Sequence, residues 1–203
     1  MTQRIVSKLI ESNVFVVSKD DECIIFDAAA EVNQVKSVVG NKKVVGVFLT
    51  HGHYDHAYYV LEYAKEFNCK IFCSRAAMEY LQNPEYNYSN GNFKIEDFSN
   101  FVFLTGEGPF TIGKFNICFH QLGGHSKGDM CFVYNDEIFV GDVVMGRDVG
   151  RMDLYGGDRV EMLKSLKFLL QYDYKIMHSG HGIDNTKDTQ DKVITLWQRF
   201  LSR

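Results

Sequence analysis

The sequence predicts an α/β fold in which two β-sheets pack against each other and helices cover their outer faces. Short apolar segments of strand length alternate with amphipathic segments of helical period. Each half of the chain begins with strands and continues into a strand–helix unit. No internal repeat, low-complexity tract or linker interrupts the 203 residues. We therefore expect one domain over residues 1–203.

The first half of the chain predicts five strands and three helices. The strands are expected at residues 4–10, 14–18, 22–27, 44–49 and 70–73. The helices are expected at residues 31–39, 55–67 and 74–81. Residues 44–49 form an almost continuous apolar run, which is typical of a buried strand with both faces covered. Residues 83–100 are polar and rich in Asn and Tyr, so they predict a surface excursion.

The second half is denser in strands. They are expected at residues 101–104, 109–112, 115–121, 129–134, 137–140 and 174–178. Asn135 and Asp136 form a two-residue hairpin signal between the fourth and fifth of these strands. Asp158 and Glu161 have the spacing of a capping box and open an amphipathic helix that ends near Gln171. A terminal helix is expected near residues 186–201.

Composition excludes several classes of partner. The formal net charge is −4, and Lys and Arg are dispersed along the sequence. The sequence therefore contains no cluster of basic residues of the kind that binds nucleic acid. No apolar run has the length of a membrane span, and the N-terminal residues lack the apolar stretch of a signal peptide. The five cysteines lie mostly within apolar segments, as expected for reduced thiols. We expect a cytoplasmic protein with a small-molecule substrate and no nucleic-acid or membrane partner, and the sequence indicates no particular oligomeric state.

Four potential metal ligands lie within six residues directly after the predicted strand 44–49: His51, His53, Asp55 and His56. His51 and His53 are two residues apart, so their rings project to the same side of an extended loop. Asp55 and His56 lie where the loop enters the helix and can point elsewhere. One loop can thus offer two ligands to each of two metal ions. His and Asp donors suit zinc, with iron or manganese as alternatives.

This segment resembles the His-x-His-x-Asp-His signature of the metallo-β-lactamase-fold superfamily. Three further segments match the superfamily in order. They are Gly124-His125-Ser126-Lys127-Gly128, Phe139-Val140-Gly141-Asp142 and Gly180-His181-Gly182. The resemblance covers nearly the whole chain and implies a four-layer αββα sandwich of two mixed β-sheets with helices outside.

The resemblance also implies a ligand set for two divalent metal ions. One ion is bound by His51, His53 and His125, and the other by Asp55, His56 and His181, with Asp142 bridging both. Asp55 and Asp142 are also predicted to be the catalytic carboxylates. A hydroxide bound to the metals would be the nucleophile, so that no Ser or Cys nucleophile is required.

Three other residues lie near these motifs in the sequence. We expect His120 to be structural and His178 to be structural or to support a ligand. Asp27 ends a predicted buried strand and is a candidate for orienting a ligand histidine.

Segment 141–158 points to one branch of the superfamily. It resembles the Gly-Arg-Thr-Asp-Leu-Pro-Gly-Gly-Asp stretch of glyoxalase II-like proteins, with Met152 and Tyr155 departing from that form. The expected function is therefore a hydrolase of S-acylglutathione-type or related small thioesters. Glyoxalase II binds glutathione with a C-terminal helical region, and a single helix is expected at that place in this sequence. The 203 residues leave no space for the inserted domain of the superfamily's nucleases, so a nuclease is not expected, and Asp142 argues against the best-known class of β-lactamases.

Three alternatives remain open from the sequence. A persulfide dioxygenase-like enzyme would use one iron, held by His51, His125 and Asp142. A hydrolase of another ester, amide or lactone would use the same dinuclear site. A metal-stabilised binding module would have no activity, but structural zinc sites usually contain several cysteines, and none lies near the ligand motifs here.

Overall fold

Two six-stranded β-sheets pack face to face in the computed structural model, which describes residues 1–202. The first sheet contains β1 (Thr2–Val6), β2 (Asn13–Lys19), β3 (Glu22–Phe26), β4 (Lys43–Phe48), β5 (Lys70–Ser74) and β6 (Phe101–Leu104), in that order. The strands of the second sheet are β7 (Gly108–Ile112), β8 (Phe115–Gln121), β9 (Met130–Tyr134), β10 (Glu137–Gly141), β13 (Ile176–Ser179) and β14 (Asn185–Thr186). A small hairpin joins β11 (Val144–Met145) to β12 (Asp148–Val149).

Both sheets are mixed. In the first sheet, β1 to β3 are antiparallel and β3 to β6 are parallel. The second sheet has the order β14-β13-β10-β9-β8-β7, in which only the pair β10–β13 is parallel. Parallel neighbours end at the same edge of a sheet, so loops that follow them meet there.

Residues 1–202 contain six helices, five of which lie on the outer faces of the sheets. The six helices are α1 (Val32–Val39), α2 (Tyr54–Ala57), α3 (Val60–Phe67), α4 (Ala77–Gln82), α5 (Arg159–Gln171) and α6 (Lys187–Leu201). Helices α1, α3 and α4 pack on the first sheet, whereas α5 and α6 pack on the second. The predicted four-layer αββα architecture is confirmed.

Aromatic side chains fill the space between the two sheets. Phe26 of the first sheet stacks on Phe139 of the second with ring centroids 4.0 Å apart. Phe48 and Phe132 are also fully buried there, with centroids 5.4 Å apart. This apolar layer fixes the relative position of the sheets, and therefore of the loops at their edges.

Two predicted elements differ from the observed ones. The strand expected at 4–10 ends at Val6, because Ile10 and Glu11 adopt left-handed backbone conformations with φ of 51° and 55°. The helix expected from Asp55 is divided into α2 and α3. At the point of division, Ala28 replaces hydrogen bonds within the helix. Its N–H donates to the His56 carbonyl at 2.7 Å, and its carbonyl accepts from the Tyr59 N–H at 2.9 Å.

Other predicted features are confirmed in part. Asp158 caps α5 by accepting from the N–H groups of Val160 and Glu161, but Glu161 pairs with Lys164 at 2.7 Å instead of closing the box. Segment 83–100 is more than a surface excursion, because Asn87 and Ile95 within it are fully buried. Within residues 1–202, no helix combines the length and apolar character needed to cross a bilayer.

Candidate metal centre

The seven predicted ligands meet at one edge of the sandwich, where loops from both sheets converge. His51, His53, Asp55 and His56 follow β4 of the first sheet; His125 lies between β8 and β9, Asp142 directly follows β10, and His181 follows β13. The aromatic layer between the sheets therefore places residues that are up to 130 positions apart in one cluster.

The cluster contains three overlapping groups whose potential ligand atoms lie within 4.8 Å of one another. The groups are His51/His53/His125, His51/His56/Asp142 and Asp55/His56/His181. The closest approaches within them are 2.8 Å between His53 Nδ1 and His125 Nε2, and 3.1 Å between His181 Nε2 and Asp55 Oδ2. All seven predicted residues are brought together, and their assignment as ligands stays a prediction.

Asp142 lies between the two outer groups. Its Oδ1 is 3.3 Å from His56 Nε2, and its Oδ2 is 3.7 Å from His125 Nε2 and 3.5 Å from His181 Nε2. A carboxylate has two oxygens that can bind separate cations, so this is the position a bridging ligand requires.

Buried polar atoms without partners show that the residues fit a cationic group. His51 Nε2, His53 Nε2 and Asp142 Oδ1 are buried and have no hydrogen-bond partner. Orphaned polar atoms are costly, and a buried cluster of this kind is explained by cations that the donors would share. The nitrogen and carboxylate donors suit zinc, iron or manganese.

Burial and neighbouring charges set the protonation of the cluster. Burial, followed by the nearby imidazoles, lowers the pKa of His51 well below its usual value. Burial and then His125 lower the pKa of His53 to about 3. Burial would raise the pKa of Asp142, but the neighbouring histidines, His56 foremost and then His125 and His51, together outweigh it and hold the pKa well below the usual range. Neutral His51 and His53 beside an ionised Asp142 are in the forms that bind metal ions.

Asp27 orients His56 through a hydrogen bond on the side of the ring away from the cluster, as proposed from the sequence. His56 Nδ1 donates to Asp27 Oδ2 at 2.9 Å, which leaves Nε2 facing the cluster. Asp27 is itself fixed by Thr50, whose N–H donates to Oδ1 at 2.8 Å. The carboxylate thus selects the tautomer and the ring orientation of His56.

Two further supports were not predicted from the sequence. Ser12 Oγ donates to Asp55 Oδ2 at 2.9 Å, and His125 Nδ1 donates to the Arg151 carbonyl at 3.0 Å. The sequence did not reveal the first contact because Ser12 lies about 40 residues before Asp55. It did not reveal the second because the acceptor is a backbone carbonyl, which every residue type has. The Asp129 carboxylate, which accepts from the N–H of His125 at 3.0 Å, could have been suspected from its place beside the Gly124–Gly128 motif.

His120 and His178 lie outside the cluster. His120 contacts Glu107 at 3.1 Å and Tyr172 at 3.4 Å, which agrees with a structural role. His178 Nε2 is 2.7 Å from Glu137, and its Nδ1 is 3.1 Å from Asp184. His178 is therefore structural and contacts no predicted ligand.

A cavity of about 450 Å³ opens above the cluster. Its floor consists of predicted ligands, namely His53, Asp55, His125, Asp142 and His181. Its walls consist of Ile10, Tyr54, Tyr88, Met145, Arg151 and Leu154. The volume suits a small organic molecule.

Comparisons with known proteins agree with this geometry. A protein named "Probable metallo-hydrolase YqgX" from Bacillus subtilis strain 168 is 28% identical over 181 residues, covering 85% of this chain and 86% of its own length. The "Probable polyketide biosynthesis zinc-dependent hydrolase PksB" from the same organism is 26% identical, covering 71% of this chain and 59% of its own length.

Solved structures show the same fold. The BLEG-1 B3 metallo-beta-lactamase has a TM-score of 0.87 and 27% identity, covering 95% of this chain and 97% of its own. TTHA1623, solved in a di-iron-bound form, has a TM-score of 0.81 and 21% identity, covering 94% and 98%. The family profile of the metallo-beta-lactamase superfamily matches residues 8–181. The chain therefore belongs to the metallo-beta-lactamase superfamily.

Proposed function

We propose that this protein is a metal-dependent hydrolase with a dinuclear site, and that it cleaves small thioesters. The observation that carries the proposal is the position of Asp142, which lies at the floor of the cavity in contact with both outer ligand groups. A single ion would not require the second group, Asp55/His56/His181. That group also favours hydrolysis over the mononuclear dioxygenase alternative.

The chain's own residues fit a hydrolytic reaction. When bound, two divalent cations supply an activated water molecule at neutral pH and polarise a carbonyl oxygen. Asp142 would keep the two ions together, and Asp27 keeps His56 Nε2 turned toward them. The carboxylate of Asp55 lines the cavity. Burial would raise its pKa, but His56 and His181 outweigh this effect and lower the pKa below its usual value. An ionised Asp55 can accept a proton from a water molecule in the cavity.

Segment 141–158 supports a thioester substrate. It contains the glyoxalase II-like sequence pattern and contributes Met145, Arg151 and Leu154 to the cavity wall. The two departures from the pattern lie elsewhere: Met152 packs into the core below α5, and the Tyr155 hydroxyl donates to Glu79 at 2.6 Å. The parts of the pattern that face the cavity are thus retained.

Hydrolysis of a β-lactam amide is the second candidate. It is favoured by the similarity to a B3 metallo-beta-lactamase, with 27% identity over nearly the full length of both chains. The reaction would use the same ligand groups and the same cavity, so only the substrate distinguishes it from the first candidate.

The two candidates are separated by direct assay. Protein loaded in turn with zinc, iron or manganese is tested with a panel of thioesters, including S-lactoylglutathione, and with a chromogenic cephalosporin. We expect thioester hydrolysis that is abolished by chelation and absent in Asp142→Asn. Cephalosporin cleavage without thioesterase activity would establish the second candidate, and inactivity toward both substrates with two bound metals would exclude both.

A further inference from the structure

Backbone strain at the mouth of the cavity marks two apolar side chains. Among residues 1–202, eight non-glycine residues have positive φ, and five of them are Asn or Asp, which tolerate this conformation. The other three are Ile10, Glu11 and Tyr88, with φ of 51°, 55° and 63°. Ile10 and Tyr88 both line the cavity. Such conformations cost energy and persist where the surroundings enforce them, often at functional sites.

The turn that carries Ile10 is fixed at its base. The Ser7 N–H donates to the Ser12 carbonyl at 2.8 Å, and Ser7 Oγ donates to the Ala29 carbonyl at 2.7 Å. Ile10 projects from this turn with 60% of its surface exposed. The left-handed conformation is unfavourable for a β-branched residue, and so exposed a side chain contributes little to the stability of the fold. We therefore relate Ile10 to the apolar surface that it presents to the cavity.

Tyr88 is held in a comparable way on the facing wall. It follows Asn87, which is fully buried and whose side-chain amide donates to the carbonyls of Tyr80 and Phe93 at 3.0 and 3.2 Å. The Tyr88 hydroxyl accepts a hydrogen bond from the Tyr155 N–H. The ring lies 5.4 Å from the His53 ring, centroid to centroid. The polar end of Tyr88 is therefore engaged, and its ring remains as an apolar surface above the cluster.

The positive charge of Arg151 on the cavity wall is paired with a carboxylate. Arg151 pairs with Asp153 through two contacts, of 3.0 and 2.6 Å. Of the remaining wall residues, Met145 and Leu154 are apolar, and Tyr54 is an aromatic residue with one hydroxyl group. A small acidic substrate would be recognised by an unpaired cation, and the wall offers apolar surface instead.

We infer that Ile10, Tyr88, Met145 and Leu154 form a subsite for an apolar acyl chain, so that the preferred substrates are thioesters with saturated acyl groups longer than acetyl. This inference rests on the proposed function and specifies the substrate class of the same site. Burial of each methylene contributes to binding, which predicts that kcat/KM rises about two- to fourfold for each methylene that the subsite covers.

The test uses acetyl, butyryl and hexanoyl thioesters of N-acetylcysteamine, which share one neutral leaving group. Wild-type protein is compared with Ile10→Asn, because Asn accepts the left-handed conformation but removes the apolar surface. We expect the ratio of hexanoyl to acetyl kcat/KM to fall several-fold in Ile10→Asn, while its melting temperature is maintained or raised. Ile10→Gly serves as a second variant with the same expectation for the ratio, should the Asn variant fold poorly.

Glu11→Asn is the matched control. It relieves the same kind of strain at the next residue, which does not line the cavity. Its chain-length ratio should equal that of the wild type. Equal turnover of acetyl and hexanoyl thioesters by the wild type, or an unchanged ratio in both Ile10 variants, would overturn the inference.

A binding experiment separates failure of the subsite from failure of the proposed function. S-ethyl, S-butyl and S-hexyl thioethers of N-acetylcysteamine cannot be hydrolysed, and their affinities are measured by calorimetry. If no thioester is cleaved but affinity rises with chain length and Ile10→Asn removes the rise, the thioesterase proposal fails and the subsite stands. If affinity is independent of chain length, the subsite is refuted whatever the activity.

Discussion

At the scale of single residues, Asp142 is the side chain on which the proposed dinuclear site depends most. Replacement by Asn removes a charge that both ions would share and converts an oxygen donor into a poor amide ligand. We expect Asp142→Asn to lose at least one metal ion. Activity should fall by more than the roughly 10- to 100-fold that is typical when a residue hydrogen-bonded to a metal ligand is replaced. Metal analysis, circular dichroism and a thioesterase assay check this.

His120→Gln is the control for that experiment, because His120 contacts Glu107 and Tyr172 away from the cavity. It should keep the wild-type metal content, whatever its effect on stability. If Asp142→Asn retains two metals and full turnover, Asp142 is not the bridge and the family alignment over residues 139–158 is wrong.

Asp27 provides a second test at this scale, because it orients a ligand without touching the cavity. In Asp27→Asn, the amide would no longer hold the Nδ1–H tautomer of His56 as strongly, so metal affinity at the second group should fall by about 10- to 100-fold. Asn tolerates the φ of 61° at this position, so the backbone should be maintained. Competition with a chelator measures the affinity. Asp20→Asn, at an exposed turn with φ of 53°, should leave the affinity unchanged.

The proximity of the seven candidate ligands could be predicted from the sequence because four of them lie in one short loop and the others in compact Gly-containing motifs. Their supports were less accessible. Asp27 was suggested by its place at the end of a strand, whereas Ser12 and the Arg151 carbonyl could be found only from coordinates. A hydrogen bond between distant residues depends on how the sheets pack, and no local pattern encodes it.

At the scale of elements, the loop after β13 needs close contact with the loop after β10. A Cβ added to Gly180 would clash with Asp142 Oδ1 and lie 2.7 Å from His56 Cε1. Gly180→Ala should therefore displace Asp142 or His56 and reduce metal content and activity, with folding retained. Metal analysis of the purified variant tests this.

Gly182→Ala is a contrasting variant in the same loop. With φ of 78° it should cost stability, but its added Cβ has no neighbour closer than 4.0 Å, so metal content should be preserved. Equal metal loss in both variants would show that the loop as a whole, and not the contact with Asp142, determines the effect.

The pairing of β10 with β13 includes a pH-dependent contact away from the ligands. Burial would lower the pKa of His178, but the carboxylates of Asp184 and Glu137, 3.1 and 2.7 Å from its two ring nitrogens, outweigh it and raise the pKa above 6.5. The hydrogen bond with His178 lowers the pKa of Glu137 below 4.5. The histidine's contribution to stability is complete below pH 6.5 and is lost as pH rises through its raised pKa. The glutamate's contribution is complete above pH 4.5 and is lost as pH falls through its lowered pKa.

Between these values both contributions are present, so His178→Gln should be most destabilising there. We expect a cost of about 1–3 kcal/mol at pH 6 and a smaller cost at pH 9. Urea unfolding at the two pH values measures the difference. Lys175→Gln, which removes an exposed contact with Asp136, should show no such pH dependence. A His178→Gln cost that is equal at both pH values would contradict a charged pair.

Most elements could be predicted because their apolar periods are clear, as in the buried run of β4 and the helical stripe of α3. The exceptions have physical causes. Strands β11, β12 and β14 have two residues each, too few to show a period. Residues 55–67 have a continuous helical pattern, but hydrogen bonds with Ala28, which is distant in the sequence, divide the helix.

At the scale of the whole molecule, the site joins the two halves of the sandwich. The first sheet supplies the candidate ligands after β4, and the second supplies His125, Asp142 and His181. The four-layer architecture could be predicted from the order of strands and helices together with the family resemblance. The cavity walls could not, because Ile10 and Tyr88 reach them through backbone conformations that their residue types do not favour.

The function proposed for this site requires that the seven candidate ligands bind two metal ions, which the reaction then uses. The most direct test is the metal content of wild-type protein, measured by inductively coupled plasma mass spectrometry after loading with zinc, iron or manganese and removal of free ions. We predict about two ions per chain for at least one of these metals, with thioesterase activity that rises as the second ion binds. Less than one ion per chain for all three metals, with no thioesterase activity, would contradict the claim.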